Sequence, residues 1–94
     1  MEFSDNIKVV VPQEVLTQHI GSGLVLMNMN TEHFYELDET GKRFWELICE
    51  LGKTGEIVRK LEQEYDANQH IIKDDLAALL EKLVDYKLIK LEDE

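Results

Sequence analysis

The apolar positions of this chain change rhythm near residue 38, from short β-branched or continuous runs to steps of three and four. Ile7-Lys8-Val9-Val10-Val11 is β-branched and stopped by Pro12, which cannot donate to a ladder, so it reads as a first strand. Residues 12–23 are mostly polar and finish in Gly21-Ser22-Gly23, a connection ending in a turn. Leu24 to Met29 is apolar almost throughout and predicts a second strand. Asn30-Thr31-Glu32-His33 has turn composition, and Phe34-Tyr35-Glu36-Leu37 follows as a third strand closing a hairpin onto the second.

From Asp38 onward the period is helical. Asp38 is a good N-cap, with Glu39 placed where the helix dipole favours negative charge. Gly41, Phe44, Trp45, Ile48 and Leu51 then share one face, and Gly52 suits a left-handed C-terminal cap. Thr54 is expected to cap a second helix with the face Ile57, Val58, Leu61 and Tyr65. Asp66-Ala67-Asn68-Gln69 interrupts the pattern. A third helix is expected from about Ile71 to Lys87, with Ile72, Leu76, Leu79, Leu80, Leu83 and Val84 as its stripe. Leu88 to Leu91 is a short apolar tail, either an extra strand or packed coil. These elements make an α+β fold, winged-helix-like in outline: a three-stranded antiparallel N-terminal sheet followed by three helices. Residues 1–94 are read as one domain, with 1–6 and 92–94 flexible.

Charge narrows the partners. Twenty acidic residues against ten basic ones give a net charge of −10, which repels phosphate backbones and anionic membranes. The expectation is no nucleic-acid and no membrane partner, and a soluble protein that meets basic or neutral peptide surfaces. Within the third helix, Lys73, Lys82 and Lys87 stand against Asp74, Asp75, Glu81 and Asp85, with little to read base edges. The single cysteine excludes an internal disulfide, and the first residues lack a basic stretch followed by an apolar run, so the protein is read as cytoplasmic.

No catalytic constellation is visible. His19, His33 and His70 are too scattered for a metal site, so no metal and no cofactor are expected. Cys49 lies beside Trp45 and Ile48 and is flanked by Glu46 and Glu50, which reads as a core position rather than an activated thiol. Ser4 and Ser22 sit in no nucleophile motif, and Gly21-Ser22-Gly23 lacks the lysine of a phosphate-cradling loop. Asp74-Asp75 point about 100° apart on a helix and serve the dipole rather than acid–base chemistry. The protein is read as no enzyme.

What remains is a peptide groove. If Phe34 to Leu37 forms the sheet's edge, its unpaired backbone invites an added strand. On a helical wheel Asp75, Leu79, Lys82 and Tyr86 form a row bordering the core stripe, suited to side-chain recognition beside such a strand. The same row reads equally well as a solvated flank.

The order and spacing of these pieces resemble a known family. Val25-Leu26-Met27-Asn28-Met29, Phe34-Tyr35-Glu36-Leu37-Asp38-Glu39-Thr40-Gly41 and Phe44-Trp45-Glu46-Leu47 are similar to the PqqD-like proteins. So are the later Ile57-Val58, Leu61, Tyr65, Asp75-Leu76, Leu80, Leu83 and Leu88-Ile89, over roughly residues 7–91. The resemblance implies a RiPP recognition element, a module that binds the leader of a ribosomally made precursor peptide and delivers it to modifying enzymes. It implies that the leader adds beside the third strand in a groove walled by the third helix. Carried onto this chain, the strand wall is His33, Phe34, Tyr35, Glu36 and Leu37, and the helix wall is drawn from Asp75, Ala78, Leu79, Lys82 and Tyr86.

Pyrroloquinoline quinone members of the family usually read Leu-Asn-Glu-Thr-Ala where this chain has Leu37-Asp38-Glu39-Thr40-Gly41, and Cys49-Glu50-Leu51-Gly52 fits their Cys-Asp-Gly ending only in part. The departure favours another pathway, lasso peptides first. The implied partners are a precursor peptide and an enzyme in trans: a leader peptidase and cyclase, or a radical S-adenosylmethionine enzyme. The expected state is a monomer or weak dimer. The competing expectation is a winged-helix regulator or a protein-interaction adaptor unrelated to peptide modification.

Overall fold

The computed structural model describes residues 7–93. In chain order the elements are β1 (Ile7–Val10), β2 (Val15–Ile20), β3 (Gly23–Asn28), β4 (Phe34–Leu37), α1 (Glu39–Leu51), α2 (Thr54–Glu64), α3 (Gln69–Asp85) and β5 (Lys90–Asp93). The α+β order and the three helices match expectation. The membership of the N-terminal sheet does not.

A three-stranded antiparallel sheet does precede the helices, but its order is β2-β3-β4, with β1 outside it. The polar connection expected between Pro12 and Gly23 contains β2, paired with β3 from Val15↔Asn28 to Ile20↔Gly23. The two-residue loop between them is Gly21-Ser22, with Gly21 at φ 57° in the first central position of a tight hairpin turn. The strand escapes a hydrophobicity reading because only Val15 of its six residues is even partly buried. Gly23 is obligatory here for close approach: a Cβ would stand 2.3 Å from the Leu37 carbonyl oxygen.

β1 instead pairs with the tail strand β5, Val9 opposite Leu91 and Lys8 opposite Glu92. The Val9 amide donates to the Gly52 carbonyl at 2.6 Å, and Lys8 bridges Lys53, so this ribbon is tied to the α1–α2 corner rather than to the sheet. Glu92 and Asp93, expected to fray, lie in β5; residues 1–6 and residue 94 fall outside the described residues.

The hairpin β3–β4 forms as expected, in the register Leu24↔Leu37 to Met27↔Phe34. Its inner face contributes Leu24, Leu26 and Leu37 to a core completed by α1, α2 and α3. Asp38 caps α1, accepting from the Gly41 amide at 2.8 Å, and Gly52 ends it in the left-handed region at φ 76°. Phe44, Trp45 and Ile48 are buried as the spacing predicts, and Leu47, outside the predicted set, is buried with them. Thr54, expected to cap α2, is instead its first helical residue and fully buried; the cap position is Lys53, without a side-chain cap hydrogen bond.

Asn68 caps α3, accepting from the Ile71 amide at 3.0 Å, so the helix begins and ends two residues earlier than the periodicity suggests. Ile72, Leu76, Leu80 and Leu83 are buried in it, each stabilising the fold by about 1.5–3 kcal/mol. Leu79 is half-buried, and Val84 and Tyr65 are exposed beyond the core, so the apolar stripes are narrower than the sequence suggests. No helix among the described residues is long and apolar enough to cross a membrane.

Candidate functional site

β4 ends the three-stranded sheet, and no strand among the described residues pairs with its outer edge. The pairing phase tells which backbone groups face outward. The Asn28 amide donates to the His33 carbonyl at 2.9 Å, so in an antiparallel ladder His33, Tyr35 and Leu37 bond inward to β3. Phe34 and Glu36 therefore turn their N–H and C=O groups to the free edge. Side chains alternate the other way across the sheet. Tyr35 and Leu37 lie on the inner, helix side, opposite buried Leu26 and Leu24. Phe34, 60% exposed, and Glu36 lie on the outer face.

The helix side of this edge is a groove. Tyr86, the C-cap of α3, meets Tyr35 edge-on with ring centroids 5.3 Å apart and lies 6.0 Å from the His33 ring. Further along, an open cleft of about 450 Å³ is lined by Tyr35, Glu36, Leu37, Asp38, Gly41 and Leu79. The groove thus runs from an aromatic end at His33, Tyr35 and Tyr86 to an acidic end at Asp38. Of the residues expected on the helix wall, Leu79 and Tyr86 reach the strand. Asp75 and Lys82 are exposed on α3 on the wheel row of those two, and Ala78 is exposed to one side of it. Phe34 is separated from them, since its side chain points to the opposite face.

One residue that organises the groove escapes the sequence reading. Asn28 is 3% exposed at the end of β3. Its side-chain oxygen accepts from the Asn30 and Thr31 amides at 2.8 and 3.1 Å, shaping the β3–β4 loop. Its side-chain nitrogen donates to the Lys87 carbonyl at 2.6 Å, so the same side chain fixes the end of α3 against the hairpin. Lys87 holds a left-handed φ of 59°. The Leu88 amide returns to Leu83 and the Lys87 amide to Val84, a Schellman end that turns the chain into β5. The signal available in sequence was a lone polar residue inside the apolar run Leu24–Met29.

Charge elsewhere is structural. Arg43 of α1 grips Glu64 of α2 through a two-pronged pair, Nε–Oε1 at 2.7 Å and Nη2–Oε2 at 2.5 Å, and also reaches Glu46 at 3.2 Å. The hydrogen bond to Glu64 holds the Arg43 guanidinium charged even more firmly than usual, and the bond from Arg43 lowers the Glu64 carboxyl below the ordinary range. Cys49, expected in the core, is exposed; protein atoms still crowd its sulfur, and desolvation raises the thiol's pKa. It is a poorly activated thiol. Among the described residues no group of three or more His, Cys, Asp or Glu side chains is placed to hold a metal ion.

Other clefts of similar volume exist, including one of about 390 Å³ between β2 and α1. Size therefore does not select a site. Among the described residues the β2 edge likewise stands free beside a helix wall there; what the β4–α3 groove adds is the aromatic cluster of His33, Tyr35 and Tyr86 at its end.

No curated protein matches the chain in sequence. The solved structure described as "TbiB1 in Complex with the TbiA(beta) Leader Peptide" is similar at 28% identity and a TM-score of 0.79, covering 86% of this chain and 94% of that one. The family model described as coenzyme PQQ synthesis protein D (PqqD) matches residues 23–89, which span β3 through the end of the core before β5. With more than half of its length matched, hairpin, groove and all three helices included, the chain belongs to the PqqD family.

Proposed function

We propose that this protein binds the leader segment of a ribosomally synthesised precursor peptide and presents it to a modifying enzyme in trans, performing no chemistry itself. The leader adds as a fourth strand on the outer edge of β4, hydrogen-bonding to Phe34 and Glu36. Its side chains on the helix side seat against Tyr35, Leu79 and Tyr86. The observation that carries this reading is the unpaired edge of β4 facing a helix wall across an open groove. Family membership and the similarity to a structure that holds a leader peptide support it.

The binding side chains are then His33, Tyr35 and Leu37 from the strand and Asp75, Ala78, Leu79, Lys82 and Tyr86 from the helix, while Phe34 and Glu36 act through their backbones. Gly41, where pyrroloquinoline quinone members usually have alanine, lines the groove, and a Cβ there would sit 3.1 Å from the Leu37 side chain. This departure favours a lasso-peptide or related pathway, with a leader peptidase and cyclase or a radical S-adenosylmethionine enzyme as partner. The protein works in the cytoplasm as a monomer or weak dimer.

The test is fluorescence polarisation with a labelled leader peptide encoded beside this chain's gene. Submicromolar, saturable binding is expected. Lys82→Glu should weaken it by about two- to fivefold, the value of a partly exposed charge contact, with an unchanged melting curve. Absence of binding by the folded protein would contradict the reading.

A further inference from the structure

The outer face of the three-stranded sheet is turned away from the groove and has no role in the proposed leader contact. The register sets Leu16, Met27 and Phe34 side by side across β2, β3 and β4. They are 54%, 37% and 60% exposed, and Ile20, 53% exposed, continues the same face along β2. The next row is Gln18, Val25 and Glu36. Exposed apolar residues scattered singly need no explanation, but a row crossing every strand of a sheet does.

The charges around this face have one sign. From Val9 to Gly41 the chain holds no lysine or arginine, although edge strands are commonly guarded by lysine. Glu14 precedes β2, Glu32 lies in the β3–β4 loop, and Glu36 is on the face itself. All three border the Leu16–Met27–Phe34 row.

This pattern selects an occupant. A second copy fits poorly, because it would bring two identical acidic rims together on molecules of net charge −10. The area also falls short. Two strand spacings by four residues of rise span only about 130 Å², against about 800 Å² per partner in a standard contact. An anionic membrane is repelled by the same rim. The remaining fit is a larger protein with an apolar patch bordered by lysine and arginine, touching this face reversibly.

We propose that the outer face of the β2–β3–β4 sheet, centred on Leu16, Met27 and Phe34 and rimmed by Glu14, Glu32 and Glu36, docks a basic-rimmed apolar surface of the modifying enzyme. This rests on the leader-binding reading. The sheet then works on two sides: its β4 edge holds the peptide and its outer face holds the enzyme, so both can be engaged at once.

The experiment uses the full chain, the labelled leader peptide and the leader-processing enzyme encoded beside this chain's gene. Peptide affinity is read by polarisation, enzyme affinity by biolayer interferometry at several salt concentrations, and self-association by sedimentation velocity. The double variant L16S/M27S removes the apolar row without touching the groove, and E14K/E32K reverses the rim. L16S/M27S is expected to keep leader affinity within about twofold and lose at least about tenfold in enzyme affinity, as truncating central interface anchors does. E14K/E32K is expected to slow enzyme association several-fold at low salt, an effect that fades as salt rises.

Undiminished enzyme affinity in L16S/M27S would overturn the proposal even if the leader still binds, and a wild-type dimer abolished by that variant would assign the face to a second copy. Loss of leader binding in the wild type would instead strike the leader-binding reading. Matched melting curves guard against a folding defect.

Discussion

At the scale of single residues, Asn28 carries more of the arrangement than any groove-lining side chain. It satisfies two loop amides and one carbonyl at the end of α3 from a buried position. Asn28→Ala leaves the Lys87 carbonyl without its partner and is expected to cost about 2–3 kcal/mol in urea unfolding. Asn28→Asp keeps the loop's acceptor but sets an anion against that carbonyl, so its cost should be no smaller. Lys87 is a simpler case. A non-glycine residue at φ 59° is strained, so Lys87→Gly should raise stability by up to about 1 kcal/mol, read as a higher thermal midpoint. A drop would mean that the lysine side chain has a stabilising contact of its own. The sequence marks Asn28 only as a lone polar residue in an apolar run and does not mark Lys87 at all, because the bond that joins them spans 59 positions.

Among elements, legibility followed burial. The hairpin β3–β4, the caps at Asp38 and Gly52 and the faces of α1 and α3 were readable, since each has local chemistry or a periodic apolar set. β2 was not, because a strand exposed on both faces lacks the alternation that marks half-buried strands. β1 reads as a strand from its β-branched run, but its partner does not, since the pairing with β5 joins residues at least 80 positions apart, Val10 to Lys90 and Ile7 to Asp93 at the ladder's ends. The groove's strand wall was legible from Phe34-Tyr35-Glu36-Leu37, yet which of those side chains face the helix followed only from the register.

The α1–α2 pair adds a pH prediction at this scale. Glu64 has a lowered folded-state pKa, so its contribution is complete above the ordinary glutamate value of about 4.3 and is lost as pH falls through the lower folded value. Being partly exposed, the pair is worth at most about 1 kcal/mol. Glu64→Gln should therefore lower stability near neutral pH and leave it nearly unchanged near pH 2. Equal losses at both pH values would show that the pair contributes through packing alone.

For the whole molecule, the layout separates tasks. The helices and the inner sheet face make the core, the β1–β5 ribbon closes the two ends of the chain together, and the sheet's edge and outer face remain available. Strand addition is the central claim, and the ladder's phase makes it site-specific. Amide hydrogen exchange, followed residue by residue by NMR with and without saturating leader peptide, tests it most directly. The account predicts new protection at the Phe34 and Glu36 amides, which face the free edge, and little change at Thr17 and His19 on the far edge of β2. Saturable binding that leaves Phe34 and Glu36 exchanging as before, or that protects Thr17 and His19 instead, would contradict it.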